Sequence, residues 1–152
     1  KNVVFFIHNG FDSFMSREQF QTFYWPGLKA CVEAVIECGG IPNLYIEDKY
    51  DSKMDIIVND LPANKCILTL INCDVPKWKE ACHGKITLSG GVDGVMLAYG
   101  EPDQVKKHVT ETLDLWSPGG GYLLNCDVSL DRAKPENLRA MFETARNYNQ
   151  KF

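Results

Sequence analysis

The sequence predicts an α/β fold of five successive βα units with parallel strands, and three observations predict it. Short apolar runs alternate with amphipathic stretches five times along the 152 residues. The runs are apolar at successive positions, as a strand covered on both faces must be. Polar turns separate the segments, with prolines where helices start and glycines where they stop. Parallel neighbours joined by right-handed helical crossovers follow from that order. Five units suit a five-stranded doubly wound parallel sheet of the flavodoxin type, or part of a (β/α)8 barrel, a whole one needing about 250 residues. The pattern leaves both open.

Val3 to Ile7, Asn43 to Ile46, Cys66 to Ile71, Ile86 to Leu88 and Tyr122 to Leu124 are the predicted strands. The first helix opens on a capping box, Ser16 with Gln19, and carries Phe20, Phe23, Val32, Val35 and Ile36 inward. Pro26 breaks it in two and Gly39-Gly40 end it. Asp51 or Ser52 caps the second helix, through Met54, Ile57, Val58 and Leu61, which stops at Pro62. Asp74 caps the third, with Pro76 in its first turn and Gly84 past its end. Pro102 opens the fourth, with Val105, Val109, Leu113 and Trp116 on one face. Pro135 opens the last, with Leu138, Met141, Phe142 and Ala145 inward.

Neither linker nor low-complexity segment interrupts residues 1–152, which are expected to form one domain. With 45% hydrophobic and 24% charged residues and a net charge of -4, the composition is that of a globular protein, without the basic excess of a nucleic-acid footprint. The apolar runs are too short to span a bilayer, and Lys1-Asn2 before a five-residue run is not a secretory signal, so the cytoplasm is the expected compartment. Cys31, Cys38, Cys66, Cys73, Cys82 and Cys126 fall singly, without a CxxC pair, and are expected to be mostly reduced and buried. The opening Lys, rather than Met, fits a piece of something longer.

In both architectures ligands bind at the carboxyl ends of the strands. The five ends read His8-Asn9-Gly10 with Asp12, Glu47-Asp48, Asn72-Cys73-Asp74, Ser89-Gly90-Gly91 with Asp93, and Asn125-Cys126-Asp127. Glu47 and Asp48 are adjacent, so only one faces the axis, and Glu47 is preferred. Asp74 is more simply a helix cap and Asp12 a brace for the turn before Ser16. His83 and His108 fall on helices and are expected at the surface. The rim is acidic, with Lys49 and Arg132 the nearby cations. It suits a metal, a cationic group or a neutral polar small molecule better than a polyanion, which would call for arginine forks. Asp48, Asn72, Asp74, Gly91, Asp93 and Asn125 are the candidates for contacting substrate. No GxGxxG, Walker loop, GxSxG or HExxH is present.

Five segments in order, Phe14 to Pro26 (FMSREQFQTFYWP), Gly90 to Asp93 (GGVD), Gly100 to Val105 (GEPDQV), Gly120 to Leu124 (GGYLL) and Lys134 to Leu138 (KPENL), resemble the C-terminal part of the uroporphyrinogen decarboxylase superfamily. That superfamily holds uroporphyrinogen decarboxylases and corrinoid-linked methyltransferases. The resemblance runs from about residue 11 to 148. It implies the last five units of a TIM (β/α)8 barrel, with the N-terminal part of the barrel, including an arginine-rich segment, without a counterpart here.

Carried over residue by residue, the resemblance also shows departures. The His-x-Cys of the zinc methyltransferases falls on Ile46-Glu47-Asp48, and their further Cys on Val128. The decarboxylase His of a Gly-His-Gly turn falls on Asp127, and an Asn of the fourth strand end is Gly91. Leu44 to Glu47 with Tyr50 resembles a branch in which a glutamate ends this strand. His8, Glu47 and Asp127 are therefore the candidates for catalysis, and His8, Glu47 and Cys126 a candidate mixed zinc site. The leading expectation is methyl transfer between a small methylated substrate and a corrinoid protein, with metal assistance. The alternatives are decarboxylation of uroporphyrinogen in porphyrin biosynthesis, which needs no cofactor, and a nonenzymatic ligand-binding remnant.

Overall fold

In the computed structural model the described residues are 1–126 and 130–148. They divide into two units, Lys1–Leu88 and Ser89–Phe152, with one strand running through the division.

The first unit begins with strand β1 (Asn2–Phe6), followed by a short helix α1 (Arg17–Gln19), a π-turn (Phe20–Tyr24) and helix α2 (Trp25–Glu37). Strand β2 (Ile41–Ile46), a 3-10 turn (Asp51–Lys53), helix α3 (Met54–Asp60), strand β3 (Ile67–Leu70) and helix α4 (Val75–Cys82) complete it. β1 pairs in parallel with β2, and β2 with β3. That order decides between the two architectures. A flavodoxin-type sheet puts the first strand between the second and third, whereas here the second strand lies between the first and third, as in a barrel wall that follows the sequence.

The side of these strands that carries Leu44, Ile46, Leu68 and Leu70 is buried with Phe20, Trp25, Val32, Ile57 and Trp78 of the following segments. The opposite side of β2 and β3 carries Asn43 and Thr69, whose buried side chains bond each other at 2.9 Å. β1 departs from the expected buried parallel strand: Val3, Val4 and Phe6 are exposed, because within this unit it has a neighbour on one edge only.

The Ser16–Gln19 capping box forms as the sequence predicts. The break expected at Pro26 is made instead by the π-turn, in which Trp25 N–H donates to the Phe20 carbonyl five residues back, and Pro26 starts α2 without loss of a helical bond. The wider turn also swings Phe23 out, to 79% exposure, where helical spacing placed it inside. Neither Asp51 nor Ser52 caps α3. Asp51 accepts from the Trp78 indole at 2.7 Å, and Ser52 turns to Asp12.

In the second unit strand β4 (Thr87–Val92) runs on from the first, followed by α5 (Gly94–Tyr99), α6 (Pro102–Trp116), β5 (Tyr122–Cys126) and α7 (Pro135–Asn147). α6 buries Val105, Val109, Thr112, Leu113 and Trp116, the stripe the sequence shows, with Ala140 and Met141 of α7 joining Val105, Val109 and Leu113 in one apolar cluster. Phe142 is 60% exposed instead of inward, and the buried positions of α7 are Asn137, Ala140 and Met141. α5 was not foreseen; its six residues are too few to show a period. Ser89-Gly90-Gly91 lie inside β4, not in a turn beyond it. Gly91 is required there. Its φ is +94°, and an added Cβ would stand 2.6 Å from the Thr112 methyl.

Candidate functional site

The register of β1 against β2 brings together two of the residues that the sequence singles out, His8 and Glu47. Phe6 is opposite Tyr45, their rings 5.2 Å apart. His8 and Glu47 lie two residues further on in each chain, so side-chain alternation sends them to the same side and opposite each other. His8 Nδ1 and Glu47 Oε2 meet at 2.5 Å, with the imidazole stacked 8° from parallel to Phe6. The His8 side chain is 66% exposed and that of Glu47 34%, so the pair faces solvent at the carboxyl ends of β1 and β2. With Nδ1 held by the carboxylate, Nε2 is the nitrogen left to meet a ligand.

Asp48, one residue on, turns away. Its carboxylate accepts from Asn72 Nδ2 at 3.0 Å and from Lys49 N–H at 2.8 Å, which ties the ends of β2 and β3 together. The Cys73 thiol donates to the Asp48 carbonyl at 3.3 Å, and burial pushes it up to about 12. Asp74 is a helix cap, accepting from Lys77 N–H and pairing with Lys77 Nζ at 2.7 Å, and the Lys77 bonds hold its carboxyl below the usual range.

Asp12 braces two loops. Burial raises its carboxyl, but hydrogen bonds from Ser52 Oγ at 2.6 Å, Lys53 Nζ at 2.9 Å and Ser52 N–H at 3.1 Å outweigh it and hold the group below the usual carboxylate value. Lys53 is fully buried, its ammonium 5.8 Å from the ring centres of Phe20 and Tyr50. The sequence reading missed Lys53, although a signal was there. Tyr50, Lys53, Ile57 and Leu61 fall at helical spacing and are all buried, which puts a lysine on an apolar stripe. It also missed the parts that Tyr24 and Tyr50 play around His8. The Tyr50 hydroxyl donates to the Ile7 carbonyl at 2.7 Å and accepts from Gly10 N–H at 3.1 Å, and the Tyr24 hydroxyl donates to the His8 carbonyl at 2.7 Å.

In the second unit Asp93 caps α5, accepting from Val95 N–H at 2.7 Å. His108 is not a free surface group: its Nε2 lies 3.2 Å from both the Gly91 carbonyl and Asp93 N. His83 is exposed, as expected. Asn125 and Cys126 belong to β5, where Asn125 Oδ1 accepts from Cys126 N–H at 3.0 Å. Asp127 lies outside the described residues. Of the cysteines only Cys66 and Cys82 are buried, while Cys31 on α2 and Cys38 just past its end are exposed, against the expectation that most would be inside. Among the described residues no helix is long and apolar enough to cross a membrane.

Among the described residues no three His, Cys, Asp or Glu side chains gather as a metal ion requires, and His8 and Glu47 spend a donor atom each on the other. The chemistry that an imidazole hydrogen-bonded to a carboxylate offers is proton transfer.

Parallel βα units with an acid–base pair at the strand ends define an α/β domain built like part of a (β/α)8 barrel. The sequence matches the model of the uroporphyrinogen decarboxylase (URO-D) family over residues 3–148, and the chain belongs to that family. Among solved structures a methyltransferase from Methanosarcina mazei is similar, with a TM-score of 0.74 and 18% identity over 96% of this chain. The chain spans 42% of the length of that methyltransferase, and the likeness is one of fold. A comparison with curated protein sequences finds no significant match.

Proposed function

We propose that this chain carries out methyl transfer from a small methylated substrate to a corrinoid held by a partner protein, and that the His8–Glu47 pair supplies the proton. The observation that carries the reading is the pair itself: an exposed imidazole fixed through Nδ1 by a carboxylate, at the carboxyl ends of β1 and β2, where ligands bind in such folds. When a methyl group leaves oxygen, sulfur or nitrogen, the bonding pair stays on that atom, which must take up a proton. His8 Nε2 delivers it, Glu47 keeps the ring oriented, and water restores the proton. The corrinoid would supply the electron pair that receives the methyl group.

The similarity to a methyltransferase supports this reading, as does the placement of the arginines. Within the first unit the single arginine, Arg17, is engaged by Asp55, so that unit presents no fork of arginines. Uroporphyrinogen, with its many carboxylates, would call for one.

The test incubates full-length protein with cob(I)alamin and a panel of methyl ethers, thioethers and methylamines, following methylcobalamin by its absorbance. His8→Ala and Glu47→Gln are expected to lower the rate about 100- to 10,000-fold. Conversion of uroporphyrinogen, with no methylcobalamin from any donor, would replace this reading with decarboxylation.

A further inference from the structure

We propose that Tyr24 and Tyr50 are positioning residues, a pair of phenols that clamp the His8 turn so that the imidazole meets Glu47; the inference rests on the proton-transfer role assigned to that pair. After β1 the chain reverses through Asn9, which has φ +58°, a left-handed conformation outside regular strand geometry. Ile7 N–H donates to the Tyr45 carbonyl and His8 N–H to the Phe6 carbonyl. Three more of its backbone groups are taken by two side chains. Tyr50 Oη donates to the Ile7 carbonyl and accepts from Gly10 N–H, and Tyr24 Oη donates to the His8 carbonyl. The peptides on both sides of the His8 Cα are thereby tied, and with them the direction of its Cα–Cβ bond.

Each part of the clamp has a cause in the sequence. Gly10 admits the Tyr50 ring, since a Cβ there would stand 2.8 Å from Tyr50 Oη and 3.3 Å from the Phe20 ring. The π-turn aims Tyr24. By inserting an extra residue per turn it stacks both Tyr24 and Trp25 on Phe20, with ring centres 5.4 and 5.8 Å away, while Phe23 faces out. Phe20 in turn meets the Tyr50 ring edge-on at 6.0 Å, so the two phenols share one aromatic support. Burial raises both phenols, with the Glu47 charge adding to it, so they remain protonated donors at neutral pH. π-turns inside helices are often kept at functional sites, and a misplacement of about 1 Å in a reacting group can cost ~100-fold in rate.

The test reads the geometry of His8 directly. In 15N-labelled full-length protein, with His8 assigned by a His8→Gln variant, the Nδ1 proton bonded to Glu47 should give a low-field signal that Glu47→Gln abolishes. Tyr24→Phe and Tyr50→Phe should each weaken or abolish the same signal, whereas Tyr122→Phe, in the second unit, should leave it intact. If the tyrosine variants lose stability but keep the His8 signal, the phenols only hold the fold and the proposal is overturned. If Glu47→Gln leaves the signal unchanged, the pair itself is absent and the functional reading falls with the clamp. Should Tyr50→Phe fail to fold, Tyr24→Phe decides, since that half-buried ring loses a single hydrogen bond.

Discussion

Removing either partner of the Asp12–Lys53 ion pair deletes the same 2.9 Å contact, yet the two deletions should cost very different amounts. The Lys53 side chain is 0% exposed and that of Asp12 is 27% exposed. Asp12→Asn leaves a wholly buried ammonium without its carboxylate, between two aromatic rings. A buried charge stripped of its partner costs about 3–5 kcal/mol. Lys53→Met keeps the length and apolar stem and leaves behind a carboxylate that water reaches and that still accepts two hydrogen bonds from Ser52. Only one charged hydrogen bond is lost, worth about 1.5–3 kcal/mol, and part of that returns through solvent and through an apolar side chain in an apolar place. Equilibrium urea unfolding, followed by fluorescence with Trp25 and Trp78 reporting on the first unit, measures both. Asp12→Asn should be the less stable by about 1–3 kcal/mol. Equal losses, or a larger loss in Lys53→Met, would refute the reasoning, because they would mean that the ammonium is not committed to Asp12 alone.

Three further outcomes follow from the same structure. Because the folded Asp12 carboxyl is held below its unfolded value of about 3.9, its contribution to stability is complete above that pH and is lost as pH falls through the folded value. Urea titrations between pH 6 and 3 should therefore show a shallower acid loss in Asp12→Asn than in the wild type. Gly91→Ala combines a φ of +94° with a Cβ 2.6 Å from the Thr112 methyl, so backbone strain of about 1–2 kcal/mol adds to overpacking of about 1–3 kcal/mol; a thermal midpoint equal to wild type would contradict it. Alkylation with iodoacetamide at pH 8, read by mass spectrometry, should label the exposed Cys31 and Cys38 first, since burial pushes the Cys66 thiol up to about 11 and the Cys82 thiol up to about 12.

What the sequence reveals and what it hides divide along physical lines. The βα rhythm is legible because burial forces it: Leu44, Ile46, Leu68 and Leu70 are consecutive or alternate apolar residues that stay inside. Asp74 before Pro76, and Pro102 and Pro135 at helix starts, are legible because capping is local chemistry. The side-chain alternation that separates Glu47 from Asp48 is legible for the same reason. The π-turn is not, since it is chosen by the stacking of Phe20, Tyr24 and Trp25 and by contacts that Tyr24 makes with a distant turn. Gly90 and Gly91 look like a loop in sequence and sit in a strand, because Tyr122 and Thr112, which bond their carbonyls, arrive from elsewhere in the chain.

The residues proposed to act and the residues that hold them carry different kinds of energy. An exposed ion pair such as His8–Glu47 contributes about 0–1 kcal/mol to stability, so stability gives no reason for its 2.5 Å geometry. The groups beneath it are committed to the fold. Tyr50 is fully buried and satisfies two backbone groups, Gly10 has no side chain so that Tyr50 can reach them, and Lys53 spends a buried charge to join Asp12 to the loop after Glu47. A turn at φ +58° and an ion pair in water would each wander if left alone. Fixed to a shared aromatic base, with the imidazole stacked on Phe6, they hold one arrangement, which keeps the His8 side chain exposed and its partner in place. Replacing His8 or Glu47 should accordingly remove chemistry and leave stability within about 1 kcal/mol, whereas replacing Tyr50 or Asp12 should disturb both. That separation distinguishes a site built for reaction from an ion pair that merely decorates the surface.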